Sequence, residues 1–164
     1  MNKGVLIPSV IVIAVIAIGA IVFTKNPAPN GTQIATPSTE PGIMAVLHKS
    51  PTCGCCGVYG SYMKKIGYNM QTSNMDNMEE IKVSLGVPQE LWSCHTVEVG
   101  GYVVEGHIPE EAIRKMLDEK PDIKGIGMAG MPSGSPGMPG PKSGDFLIYE
   151  ILHDGSKGGV YVTL

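Results

Sequence analysis

Nowhere in its 164 residues does this chain carry a run of Lys or Arg, and its net charge is −3. Without a basic patch nothing can neutralise phosphates, and at 5% aromatic content there are few rings on which bases could stack. A nucleic-acid partner is thereby excluded. Carboxylates are scarce around the cysteines, which removes the oxygen-rich cage that calcium or magnesium needs. The length suits one modest domain and little else. Against these absences stand 22 Gly, 10 Met and 4 Cys. The cysteines are not spread as in a disulfide scaffold: three of them form Cys53-Gly54-Cys55-Cys56, the clustering of a reactive or metal-binding site.

Val5 to Phe23 is uncharged and almost wholly apolar, with Lys3 before it. As a helix it would extend roughly 28 Å at about 1.5 Å per residue, close to the ~30 Å hydrocarbon core of a bilayer. Cleavable signals have a shorter apolar stretch, about 7–15 residues. Residues 1–25 are therefore expected to form a transmembrane anchor. Export after signal cleavage is the alternative, since Ala17-Ile18-Gly19 offers small residues to a peptidase. Residues 26–42, with Pro27, Pro29, Pro37 and Pro41, read as an extended tether. Residues 43–164 remain as the folded domain. Lys3 and the amino terminus favour a cytoplasmic N-terminus, which leaves the domain extracytoplasmic, in a periplasm or at the cell surface.

Within the domain, Ile43 to Leu47 reads as a buried strand, ended by Ser50-Pro51-Thr52. A helix follows from Cys56, with Tyr59, Tyr62, Met63 and Ile66 on one face and Gly67 as its left-handed cap. Tyr68 to Ser73 is a weak strand. Asp76-Asn77-Met78-Glu79 resembles a capping box for a helix with Met78, Ile81 and Leu85 inward, stopped by Gly86 and Pro88. Thr96 to Val99 and Tyr102 to Glu105 flank Gly100-Gly101 as a hairpin. Pro109 opens a third helix with Ile113, Met116 and Leu117 inward. Of residues 125–144, fourteen of twenty are Gly, Pro or Met, so no regular element is expected there. Phe146 to Leu152 and Val160 to Thr163 close the chain as a second hairpin. The order β-α-β-α-β-β-α, with a Cys motif at the first helix start, is that of a thioredoxin-like α/β fold carrying a C-terminal β-hairpin.

A helix start presents unpaired N–H groups and about half a positive charge, which stabilises thiolates, the nucleophilic and metal-binding form. Cys53 and Cys56 have C-x-x-C spacing, and Cys55 adds a third sulfur in the same turn. Cys94 precedes the hairpin, where this fold has the loop facing its cysteines. Many such folds carry a cis-proline there; here the residues are Ser93-Cys94-His95, a thiol and an imidazole, which favours ligation. Several thiolates with Met nearby suit a soft ion. Cu(I) accepts two or three sulfurs and shares bridging thiolates in a polynuclear cluster. Zn(II) is the alternative, held by Cys53, Cys56, Cys94 and His95 in a tetrahedron. A pair of disulfides is the other fate of four exported cysteines, although adjacent Cys55 and Cys56 are awkward for unstrained bridges. His107 and the loop residues Met128, Met131 and Met138 are further candidate ligands, while His48 and His153 read as ordinary.

Several motifs together carry a resemblance: Lys49-Ser50-Pro51-Thr52-Cys53-Gly54-Cys55-Cys56, Leu85-Gly86-Val87-Pro88, Ser93-Cys94-His95-Thr96, Val99 through Pro109, and Gly130 through Met138. In order and spacing they resemble the CopG-like copper-resistance proteins, also known as the family of unknown-function domain 411, over about residues 44–152. The resemblance implies a small exported thioredoxin-like protein that binds copper. It carries Cys53, Cys55, Cys56 and Cys94 over as metal ligands, with His95, His107, Met131 and Met138 near the site. The expected function is copper sequestration, transfer or resistance, with copper ions and copper-donor or acceptor proteins as partners. The resemblance thus implies a metal-binding protein more than an enzyme, with redox activity left open. The alternative is a thiol–disulfide oxidoreductase using Cys53 and Cys56, with Cys94 as the resolving thiol.

Overall fold

Alternation of apolar residues along short strands, interrupted by amphipathic helices, produces a single seven-stranded mixed sheet in the computed structural model, which describes residues 42–164. The anchor expected over 1–25 and all but the last residue of the tether expected over 26–42 lie outside the described residues. Among the described residues no helix is long and apolar enough to cross a membrane. The elements run β1 (Met44–Lys49), α1 (Gly54–Lys65), β2 (Asn69–Asn74), α2 (Met78–Ser84), β3 (His95–Val99), β4 (Tyr102–Glu105), α3 (Glu110–Glu119), β5 (Gly125–Gly127), β6 (Leu147–Ile151) and β7 (Lys157–Thr163), with a 3-10 turn at Gln89–Leu91 before β3.

In space the strands lie in the order β2-β1-β3-β4-β5-β6-β7. β1 pairs in parallel with β2 and antiparallel with β3; β4 is antiparallel to β3 and parallel to β5. β6 and β7 continue antiparallel. Ala45 and Leu47 of β1, Val97 and Val99 of β3, Val104 of β4, Ile126 of β5 and Ile148 of β6 pack against Tyr59 and Met63 of α1 and Ile113 and Met116 of α3. Because side chains alternate across a strand, Val103 and Ile151 point the other way, against Val87 and Leu91. α2 lies on that second face, where its Lys82 reaches Thr96 and Glu105.

The helix ends follow from local chemistry. After α1, Gly67 at φ +104° donates to Lys64 O and Tyr68 to Met63 O, the paired bonds of a Schellman cap. Gly86 and Val87 repeat the arrangement after α2 with Val83 O and Lys82 O. Three expectations need correction. Asn77 rather than Asp76 caps α2, its Oδ1 accepting from the N–H groups of Glu79 and Glu80. Pro109 is the cap of α3 and not its first residue. The Gly/Pro/Met segment does contain a regular element, since Gly125–Gly127 forms β5 between β4 and β6. Its intrinsic strand propensity is poor, and pairing on both edges overrides that.

Ile126 is fully buried at the centre of this strand. Ile126→Ala is expected to lower unfolding free energy by about 2–5 kcal/mol in urea titrations. Val160→Ala, on exposed β7, should change it by less than about 0.5 kcal/mol.

Candidate metal centre

The antiparallel register of β1 and β3 sets Lys49 opposite His95. The segment leaving β1 and the segment entering β3 therefore meet at one end of the sheet, and each carries cysteine. Leaving β1, the chain turns through Ser50-Pro51-Thr52, with Cys53 N–H donating to Ser50 O. Buried Lys49 holds the turn from beneath, its Nζ donating to Ser50 O at 2.7 Å and Pro51 O at 3.3 Å. Cys53 is the cap of α1, its Sγ accepting the N–H of Cys56 at 3.3 Å.

Cys53 and Cys56 are joined as a disulfide, with Cα atoms 5.4 Å apart. Among the described residues Cys55 and Cys94 are the free cysteines, both half-buried. Cys55 Sγ lies 3.6 Å from Cys53 Sγ and 3.7 Å from Cys94 Sγ. Cys56 is fully buried, its Sγ 3.6 Å from Cys94 O. All four sulfurs fall within 4.8 Å of one another. Cys94 also belongs to a second group, since its sulfur and ligating nitrogens of His95 and His107 lie within the same 4.8 Å limit. One thiol thus joins an all-sulfur cluster to a sulfur–imidazole cluster.

Both imidazoles are buried. His107 follows β4 through Gly106, whose N–H donates to His95 O. The two rings stand nearly perpendicular with centroids 4.6 Å apart, and Tyr59 packs 4.4 Å from His95 and 5.7 Å from His107. Tyr59 is itself fixed by donating its hydroxyl to Ile108 O. His107 Nδ1 faces Pro136 O at 2.7 Å. A carbonyl only accepts, so Nδ1 carries the hydrogen and Nε2 keeps its lone pair. That lone pair meets Cys94 Sγ at 2.9 Å. Burial pushes the Cys94 thiol up to about 12, reinforced by Cys55, and pulls His107 down. The pair is accordingly a neutral thiol donating to a neutral imidazole. His95 lies well below its ordinary range because of burial first, then the neighbouring His107 and Lys82. Its Nε2 has no hydrogen-bond partner although it is buried.

The Gly/Pro/Met loop covers the site instead of hanging free. Met128 N–H donates to Glu105 O, and Ser135 N–H and Oγ both donate to Pro132 O. Gly134 N–H and Ser133 Oγ both bond Pro139 O. Gly137 lies so close to α1 that a Cβ there would sit 3.0 Å from Cys55 O and Tyr59 N, so only glycine fits without displacement. Met138 comes next and is half-buried; Met131 is half exposed, beside the bond between Ser93 Oγ and Gly130 O. The six Cys and His candidates thus converge; of the three Met candidates, Met128 is buried in the hydrophobic core, and Met131 and Met138 lie in the covering loop. His48 pairs with Glu98 and His153 with Asp122, away from the sulfurs.

Sequence reading missed Tyr59 as the wall behind the imidazoles, Pro136 as a carbonyl acceptor, and a buried Lys82–Glu105 pair. The last was signalled by position, since Lys82 falls on the stripe of Met78, Ile81 and Leu85, and Glu105 shares a strand face with Val103. The donor set suits a soft ion: four sulfurs, the imidazoles of His95 and His107 beside Cys94, and no free carboxylate, since Glu105 is bound to Lys82. With Cys53 and Cys56 bridged, two of the four sulfurs become thiolates only on reduction.

The family described as "Protein of unknown function, DUF411" matches residues 91–138. Two solved structures, described as copper resistance protein copG in Form 1 and Form 2, are each 31% identical to the chain. Both cover 75% of this chain and 98% of their own, with TM-scores of 0.68 and 0.69. No curated protein matches the chain significantly.

The depressed imidazoles set a pH dependence for the reduced, metal-free protein. Folded His95 stays neutral, whereas an unfolded imidazole takes a proton below about 6.5, so the unfolded state binds more protons and stability falls as pH drops below that value. Urea midpoints are expected to decline from pH 7.5 to 5.5, His95 contributing a slope of at most about 1.4 kcal/mol per pH unit. His95→Asn should flatten that slope, whatever it does to stability at pH 7.5.

Proposed function

The chain belongs to the family of CopG-like copper-resistance proteins, and from that premise we propose that it holds Cu(I) through Cys53, Cys55, Cys56 and Cys94. The supporting observation is the convergence of four sulfurs within 4.8 Å, three from the start of α1 and one from the residue before β3. Two or three thiolates satisfy Cu(I), and thiolates shared between ions build a cluster, so four sulfurs in this space suit more than one ion. His95 and His107 extend the donor set on the buried side through Cys94. Zn(II) would draw on Cys53, Cys56, Cys94 and His95. Met131 and Met138 would serve from the covering loop.

Its strand order β2-β1-β3-β4, with β1 and β2 parallel and the Cys motif at the start of α1, supports a thioredoxin-like core to which β5, β6 and β7 are added. In this reading the N-terminal apolar run tethers the domain outside the cytoplasm, where it sequesters or transfers copper between donor and acceptor proteins and contributes to resistance.

A second reading has its own support. The Cys53–Cys56 disulfide sits at a helix start, with the free thiol of Cys55 3.6 Å away. That arrangement suits thiol–disulfide exchange, in which a substrate dithiol gives two electrons and two protons to the bridge and leaves as a disulfide.

Anaerobic titration separates the readings. The fully reduced domain is expected to retain two or more Cu(I) per chain against a competing chelator, and the bridged form markedly fewer, both read by native mass spectrometry. Loss of tight binding in the reduced form, together with disulfide reductase activity, would falsify the copper reading. Cys94→Ser should lower Cu(I) affinity by roughly tenfold or more while leaving Cys53–Cys56 exchange with a small dithiol near the wild-type rate.

A further inference from the structure

Lys82 and Glu105 are both buried, with Nζ 2.5 Å from Oε1, on a sheet face otherwise lined by Val103, Leu91 and Ile151. For stability alone this is a weak choice: removing two charges from water is expensive, and an apolar pair of similar volume is often as stable or more so. What an apolar pair cannot supply is the hydrogen bonding. Glu105 Oε1 also accepts the backbone N–H of Ser93 at 2.6 Å, and Oε2 accepts the hydroxyl of Thr96 at 2.6 Å. Lys82 Nζ donates in turn to Thr96 Oγ1 at 3.1 Å. Ser93 immediately precedes Cys94, Thr96 immediately follows His95, and Glu105 lies two residues before His107. The main-chain carbonyl of Glu105 accepts Met128 N–H, where the covering loop begins.

We propose that Glu105, held by Lys82, is a positioning residue that sets Cys94, the thiol common to both donor groups, by fixing the backbone N–H of Ser93. The carboxylate touches none of the sulfurs; it acts through the main chain one residue away. Lys82 reaches it from α2, outside the site, and donates to Oε1, so the carboxyl group is held from one side by α2 and from the other by Ser93 and Thr96. Its two oxygens accept from three donors at once: Lys82 Nζ, Ser93 N–H and the Thr96 hydroxyl. The proposal rests on the metal-binding reading for its purpose but not for its geometry.

Two double variants test it. K82M/E105Q removes both charges and keeps an oxygen for Ser93 N–H; K82M/E105L removes the charges and that oxygen together. K82M/E105Q is expected to unfold near the wild-type urea midpoint, and K82M/E105L below it, since Ser93 N–H and the Thr96 hydroxyl lose their acceptor. In the reduced, metal-free protein, Cys94 should alkylate at a rate altered by about fivefold or more in K82M/E105L, and Cys55 should not, while K82M/E105Q stays near wild type. Cu(I) affinity should fall by about 10–100-fold in K82M/E105L, the usual scale for outer partners of metal ligands, and recover in K82M/E105Q. Folded variants with identical Cys94 reactivity would overturn the positioning role. If K82M/E105L does not fold, amide exchange in the wild type decides: Ser93 N–H should be protected like the amides of β3, and free exchange there overturns the proposal. A wild type that binds no Cu(I) sinks the metal reading alone, since the alkylation and exchange measurements need no metal.

Discussion

Everything at the site depends on the antiparallel pairing of β1 with β3. Ala45 to Lys49 and His95 to Val99 lie side by side in register, so two segments about forty residues apart in sequence end at one place. Neither segment alone holds four sulfurs. The pairing is in turn secured by burial, since Leu47 and Val97 sit opposite each other in the core beneath α1 and α3. A slip of one residue would move every side chain of β3 to the other face, taking His95 away from Tyr59 and Thr96 away from Glu105. The hydrophobic pattern of two short strands therefore sets the geometry of the sulfur chemistry.

The electrostatics of the uncharged site follow from the same burial. Lys49 and Lys82 are both held beneath it, yet neither bonds directly to a sulfur: one is spent on carbonyls and the other on Glu105. Cys94 and His107 keep their proton between them in the neutral arrangement. A soft cation that displaced that proton would bring the positive charge that the thiolate lacks in its dry surroundings.

Much of the scaffold was legible from residue pattern. Gly100-Gly101 between alternating strands marked the hairpin, Gly67 and Gly86 marked the ends of α1 and α2, and the Cys motif marked the start of α1. Cys94-His95 stood out because a thiol and an imidazole occupy a loop that faces the cluster. Other features left little trace. β5 has almost no propensity of its own, and exists because β4 and β6 offer it partners on both sides. The order of the 128–144 loop comes from proline carbonyls and close backbone contacts, neither of which produces a periodic signal. The Cys53–Cys56 bridge follows the C-x-x-C spacing, while Cys55 and Cys94 remain free, so the second of two disulfides does not form. The buried ion pair was visible only as two charges on apolar faces, a pattern that ordinary helix reading assigns to solvent.

The cysteines differ in their exposure, and this gives the cluster a direction. Cys53, Cys55 and Cys94 are half-buried, whereas Cys56, His95 and His107 are sealed behind them by Tyr59 and the covering loop. Gly54 and Gly57, beside these cysteines in sequence, are exposed, with empty space where a side chain would stand. A reagent arriving from solution therefore meets the half-buried sulfurs first, and reaches Cys56, His95 and His107 only behind them.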